Sequence, residues 1–298
     1  MYFYVSWYQG DPFYPLYDQD CSLLVSISSV SRSWTIRRFP ALPCRLLLDS
    51  GGYRFASAPD EALSPRELLQ QQLSLLAGER VPTILCSRDF PILDGSASSN
   101  ERDKSITQTI AFAYELKNLV AQRGLEDHTT LMAIVQGYDC DSLAYCAQEL
   151  KTIGFPLNGI GSLAMIKQND PIVERIEAVA SIVGPESLHV FGVSIVQTVH
   201  ALQDMGIHSI DSSRSARAAA YNQILYSGPF RRYGIVEENA EGAGMRGRLP
   251  RSRRLEEPLP CACPVCARDP WQIMGVGKSS NIRSRALHNY YHLKRVFL

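Results

Sequence analysis

Two sets of residues in this chain could do chemistry by type and spacing. Cys261, Cys263 and Cys266 stand within six positions, and His288 and His292 follow. Three thiolates and one imidazole are the four ligands that tetrahedral zinc takes with no open position, so the spacing predicts a structural metal site. His288 and His292 lie four apart and share a helix face, so spacing alone does not choose between them. Far upstream, Asp49 closes the apolar run Leu46-Leu47-Leu48 and leads into Ser50-Gly51-Gly52-Tyr53. The paired glycines there give a tight bend along which backbone can approach a ligand. Asp89, Gln136 and Asp211 also follow apolar runs. Two carboxylates at strand ends around one mouth are what a glycosyl transfer with a nucleophile and a proton carrier needs.

The elements that must position these residues are legible as a repeat. Apolar runs at 82–86, 131–135, 188–193 and 208–210, with the run ending at Asp49 and a short one at 159–162, read as strands buried on both faces. Helical patterns alternate with them. Ser64 before Pro65 is an N-cap with proline at the first helical position, and a long pattern runs through Ile106, Ile110, Ala113, Leu116 and Val120. Further helices are expected from about Ser142 to Ile153, from Pro171, and from Val196 to Met205. Two N-terminal runs, Phe3–Ser6 and Leu23–Ile27, bring the strands to eight. The polar stretch from Ser28 to Phe39 reads as a loop over one face.

This pattern predicts an α/β fold, a (β/α)8 TIM-type barrel, over residues 1–250. A zinc-binding subdomain with a closing C-terminal helix is expected over 251–298. Asp49, Asp89, Gln136, Gly161, Ser194 and Asp211 would then converge on the C-terminal mouth of the barrel, where such folds carry their chemistry. A doubly wound sheet would need a glycine-rich phosphate loop after its first strand, and the sequence has none.

Composition bounds the rest. The 298 residues are 45% hydrophobic, enough for a sizeable core. No stretch reads as a signal peptide or membrane span, so a cytoplasmic protein is expected. Net charge is zero, yet residues 231–298 carry 13 Lys/Arg against 6 Asp/Glu. A basic C-terminal segment suits a polyanion partner. Cys21, Cys44, Cys86, Cys140 and Cys146 are scattered and read as small core residues.

Taken together, the motifs resemble the tRNA-guanine transglycosylase superfamily, zinc-containing (β/α)8 barrels that exchange guanine for a 7-deazaguanine base. The matching pieces are Asp49-Ser50-Gly51-Gly52-Tyr53, Asp89, Ile134-Val135-Gln136-Gly137, Gly159-Ile160-Gly161-Ser162-Leu163, Asp211-Ser212, and Cys261, Cys263, Cys266 with His288-Asn289. They occur in family order. The resemblance implies Asp211 as the nucleophile that forms a covalent glycosyl intermediate, and Asp49 as general acid/base. It implies that Asp89 and Gln136, with Gly137, bind the purine edge, that the Gly161–Ser162 backbone completes the pocket, and that Tyr53 stacks on the base. It also implies His288 as the fourth ligand of a structural Zn2+, leaving His292 outside.

Two departures bear on the polymer. Ser162 stands where the family has a second glycine, and Asp211 is followed by Ser-Ser-Arg-Ser-Ala-Arg instead of the bacterial tRNA enzymes' Leu-Pro-Thr-Arg. No RNA-binding module is expected after the zinc segment, unlike the archaeal arrangement. These features favour the bacterial and phage branch that inserts bases such as 7-cyano-7-deazaguanine into DNA, with tRNA as the alternative polymer. Such an enzyme takes its base out of the stack, and Arg251, Arg253, Arg254, Arg283 and Arg285 are expected to hold the nucleic-acid backbone. A non-catalytic nucleic-acid-binding subunit would keep barrel and zinc without the two aspartates' chemistry. A homodimer and partner modification proteins are left open by the sequence.

Overall fold

The computed structural model describes residues 1–58, 63–92, 97–125, 129–161, 163, 169–235 and 253–298, with backbone only at 53 and 169–171. The chain divides into two compact units, Met1–Gln9 with Asp18–Ser212, and Gly10–Tyr17 with Ser213–Leu298.

The first unit is a closed barrel of eight parallel strands in sequence order. They are β1 (Tyr2–Trp7), β2 (Ser22–Ser26), β3 (Arg45–Asp49), β4 (Thr83–Cys86), β5 (Thr130–Val135), β6 (Leu157–Ile160), β7 (Leu188–Val190) and β8 (Ser209–Ser212). β8 pairs with β1 and closes the ring, placing Asp211 opposite Tyr4. Around the strands run α1 (Gly52–Ser57), α2 (Pro65–Leu76), α3 (Ser99–Gln122), α4 (Cys140–Ile153), α5 (Asn169–Val183) and α6 (Val196–Asp204). Among the described residues no helix is long and apolar enough to cross a membrane.

Alternate residues of each strand point inward, and the interior is filled as a core. Tyr4, Leu24, Leu47, Ile84, Met132, Ile134 and Leu157 form its central cluster, with Phe191 packed against it. Two residues further along β3 and β8 the inward positions are Asp49 and Asp211, so the strand period delivers carboxylates to the rim above an apolar floor.

The helices begin where local chemistry starts them. Ser64 and Glu67 form a reciprocal capping box on α2, and Ser98 with Glu101 does the same on α3. Asp139 caps α4, which starts two residues earlier than the apolar periodicity suggests. Gln72, fully buried on α2, donates Nε2 to Leu48 O and to Cys86 O, both at 3.0 Å. That amide pins the ends of β3 and β4 just below the rim.

Two expectations are corrected here. The stretch from Ser28 to Phe39 is part of the core: Trp34 and Phe39 pack their rings on Trp7 at 4.9 Å each, and Ile36 is fully buried. Its polar residues hide three large apolar anchors at irregular spacing, which periodicity does not detect. β7 ends at Val190 instead of reaching Ser194, because the chain turns at Gly192 with φ +72°.

The second unit is built on α7 (Arg214–Ala220), a three-stranded sheet and α8 (Ser279–Phe297). Strands β9 (Gln223–Ser227) and β10 (Phe230–Ile235) form an antiparallel hairpin, and β11 (Arg254–Leu255) pairs parallel to β10. Asn289 on α8 accepts from Leu225 N at 2.8 Å and donates to Gln223 O at 3.0 Å and Ser215 O at 3.2 Å. One buried side chain therefore ties α8 to β9 and α7. The boundary expected at residue 250 falls within 236–252, outside the described residues.

Candidate active site and metal centre

Asp49 closes β3, and Ser26 is its neighbour across the β2 pairing. Its Oδ2 accepts from Gly51 N at 3.1 Å. Burial raises its pKa, opposed by hydrogen bonds from Ser26, Gly51 and Ser50, and the negative charge of Asp211 raises it further.

Asp211 is held from both neighbouring strands. Ser6 of β1 donates its hydroxyl to Oδ2 at 2.6 Å. From the β7 side, Gly192 N donates to Oδ1 at 2.7 Å, and His189 Nε2 lies 3.5 Å from the same oxygen. The positive φ at Gly192 aims that amide at the carboxylate, a conformation that favours glycine.

Asp89 lies beyond β4, and its carboxylate fills the space that Gly52 leaves open. Gln136, fully buried, donates Nε2 to Asp89 Oδ2 at 3.4 Å and to Phe90 O at 3.3 Å, while Gly137 N donates to Gln136 Oε1 at 3.1 Å. Gln136 is thus placed to hold Asp89. A Cβ on Gly161 would come within 3.3 Å of Asp89 Oδ2. Burial, and then the charge of Asp49, push the Asp89 pKa up to about 7.

The three carboxylates share one rim. The thiol of Cys86, buried below them, is pushed well above its ordinary pKa by burial and then by Asp49, Asp211 and Asp89 together. Like charges gathered over an apolar floor cannot all ionise cheaply, so such a rim favours one proton-carrying carboxyl beside an ionised one.

Of the other residues expected at this mouth, Ser162 and the side chain of Tyr53 lie outside the described residues. Gly137 has a packing reason to be glycine, because a Cβ there would meet Leu143 N at 2.6 Å. Sequence reading missed Ser6, Ser26, His189 and Ser209. The period-2 pattern that flags Asp49 and Asp211 also places these four on inward positions, but serines and a histidine inside apolar runs pass for ordinary core polar residues.

The candidate metal centre belongs to the second unit. Cys261, Cys263, Cys266 and His288 offer ligand atoms that all lie within 4.8 Å of one another. His288 Nδ1 is 3.6, 3.4 and 3.3 Å from the three sulfurs. A tetrahedral zinc with Zn–S of about 2.3 Å and Zn–N of about 2.0 Å sets S···N edges near 3.5 Å, so the residues present fit the ion. His288 Nε2 donates to Leu225 O at 2.9 Å, which leaves Nδ1 as the lone-pair nitrogen facing the thiolates.

Between the two histidines that spacing left open, hydrogen bonding favours His288. Ser227 N donates to His292 Nδ1 at 3.0 Å, so a neutral His292 carries its proton on Nε2. That nitrogen faces Cys261 Sγ at 3.2 Å as a hydrogen-bond donor, not a ligand. Tyr226 Oη accepts from Leu259 N at 3.0 Å and steadies the segment leading into Cys261.

Of the arginines expected to contact nucleic acid, Arg253, Arg254 and Arg283 are exposed, and Arg251 lies outside the described residues. Arg285 is corrected: it is fully buried and donates NH2 to Gly275 O at 3.0 Å, so it braces α8 and cannot reach a polymer.

A model of the queuine tRNA-ribosyltransferase family matches residues 27–298. A tRNA-guanine(15) transglycosylase of Korarchaeum cryptofilum is 23% identical over 252 residues, covering 83% of this chain and 38% of the relative. The protein of the same name from Aeropyrum pernix is 25% identical over 267 residues, covering 86% of this chain and 45% of the relative. The chain therefore spans less than half the length of the curated relatives it matches.

Proposed function

The chain belongs to the queuine tRNA-ribosyltransferase family, and from that premise we propose that it replaces guanine in a polynucleotide with a 7-deazaguanine base. Asp211, held by Ser6 and by Gly192 N–H, attacks C1′ of the target nucleotide. The C1′–N9 bond breaks, its electron pair leaves with guanine, and Asp211 holds the sugar as a covalent ester. Asp49, whose burial and whose neighbour Asp211 favour its protonated form, supplies the proton that guanine takes up. The incoming base returns a proton to Asp49 as its nitrogen displaces Asp211. Asp89, backed by Gln136, accepts hydrogen bonds from the N–H groups on the purine edge, and Gly161 lies beside it in that pocket.

The observation that carries this reading is the pairing on one rim of an anchored carboxylate with a second one whose pKa is raised by burial and further by the first one's charge. A scaffold without chemistry has no use for that arrangement. Zn2+ in the Cys261, Cys263, Cys266, His288 set is structural, since four protein ligands leave no open position.

For the polymer we take DNA. The support is the run Ser-Ser-Arg-Ser-Ala-Arg after Asp211, which folds directly into α7 in place of the bacterial tRNA enzymes' loop. Arg253, Arg254 and Arg283 supply backbone contacts. Both named relatives are tRNA-guanine(15) transglycosylases, and this favours tRNA as the second reading. Incubating the protein with guanine-labelled DNA and, separately, labelled tRNA in the presence of 7-cyano-7-deazaguanine tests both. Release of label from DNA alone supports the first reading, release from tRNA alone the second, and release from neither refutes base exchange.

A further inference from the structure

His189 is fully buried on the inward face of β7, across the strand pairing from Ser209 of β8. Its ring is fixed edge-on against Phe191 at 4.4 Å and Tyr4 at 6.0 Å. Nδ1 lies 2.8 Å from Ser209 Oγ. Nε2 has no closer hydrogen-bond partner among the described residues and faces Asp211 Oδ1 at 3.5 Å.

Chemistry decides the tautomer. With the proton on Nδ1, the lone pair of Nε2 would face a carboxylate oxygen inside a dry site, two acceptors with no hydrogen between them. With the proton on Nε2, the ring donates toward Asp211, and the Ser209 hydroxyl donates to Nδ1 and keeps the proton where it is. A chain of three side chains on two adjacent strands then ends on the carboxylate that attacks C1′. Its spacing of 3.5 Å closes to a full hydrogen bond with a small advance of the carboxylate, as catalytic contacts do when substrate is bound.

Resting on the assignment of Asp211 as nucleophile, we infer that His189 is a positioning residue that donates Nε2–H to Asp211 Oδ1 in the tautomer set by Ser209. With Gly192 N–H on the same oxygen, it fixes the carboxylate's rotation so that the attacking lone pair points at the sugar. No covalent or redox step passes through the imidazole.

His189→Phe keeps the ring and removes the donor, whereas His189→Gln places an amide N–H where Nε2 stands. The phenylalanine protein should bind guanine with unchanged affinity and KM while kcat falls about 10- to 100-fold, the loss expected for one donor to a charged group. The glutamine protein should recover to within a few-fold of wild type. Equal activity of wild type and His189→Phe, or a glutamine protein as slow as the phenylalanine one, would overturn the inference and leave His189 a packing residue. A readout free of turnover separates this from failure of base exchange itself. Nitrogen-15 shifts of His189 in the wild-type protein should show a protonated Nε2 and a bare Nδ1. The opposite tautomer would overturn the positioning role even in an active enzyme, and a protein with the expected tautomer but no exchange would refute the transglycosylase reading on which it rests.

Discussion

A Cβ added to Gly52 would lie 2.1 Å from Asp89 Oδ1. The second glycine of the Gly51-Gly52 pair is therefore the space into which a carboxylate from the next strand swings. The obstructed atom is the tip of a side chain, so Gly52→Ala can be accommodated by turning Asp89 away. The variant should keep a melting temperature near wild type while guanine affinity, measured by calorimetry, drops at least about tenfold, equivalent to one lost hydrogen bond to a charged group. Unchanged affinity would remove Asp89 from the purine pocket.

Asp89 also sets a pH dependence. Burial, then Asp49, lift its pKa from the ordinary 3.8 to about 7. The folded state thus holds the proton more tightly than the unfolded state, and stability falls as pH rises from about 4 through 7. A shift of that size corresponds to on the order of 4 kcal/mol. Asp89→Asn should be more stable than wild type at pH 8 and should flatten much of this slope in urea unfolding across the range. Asp49, also shifted upward, leaves a remainder of the same sign. An asparagine variant with the full wild-type slope would assign it elsewhere.

The barrel and the three cysteines of the candidate metal cluster could be read from the chain because each has a regular signature. Apolar runs ending on Asp49 and Asp211 announce parallel strands, and Cys261, Cys263 and Cys266 announce a metal. What could not be read depends on contacts between segments far apart in sequence. Ser6 reaches Asp211 across 205 residues, and Trp34 and Phe39 meet Trp7 from a stretch without periodicity. The burial of Arg285 was invisible for a related reason, since a basic segment does not say which of its arginines faces water. The β9–β10 hairpin was missed because its strands, Gln223–Ser227 and Phe230–Ile235, are half polar.

Gln72 makes a separate prediction about rim geometry. Its amide donates to Leu48 O and Cys86 O, and Gln72→Leu removes both hydrogen bonds in a buried place. The cost should be about 1–3 kcal/mol in chemical unfolding, with exchange activity reduced beyond what the lost stability explains. A stable variant with full activity would mean that the ends of β3 and β4 hold themselves.

At the metal centre, Cys263→Ala should lose the single equivalent of zinc that wild type is expected to carry, and much of its stability with it, because binding energy at such a site is folding energy. His292→Phe should keep the metal stoichiometry but weaken affinity about 10- to 100-fold, as loss of an outer hydrogen bond to a ligand does. Loss of all zinc from the His292 variant with retention in a His288 variant would reverse the assignment drawn from Ser227.

The central claim is that Asp211 becomes covalently attached to the sugar. Protein mixed with a guanine-containing oligonucleotide, without incoming base, and quenched in denaturant should run on a denaturing gel as a protein–oligonucleotide adduct. Wild type should form that band and Asp211→Asn should not, with released guanine matching the adduct in amount. An adduct of equal yield in Asp211→Asn, or guanine release by wild type with no adduct at any time, would contradict the account.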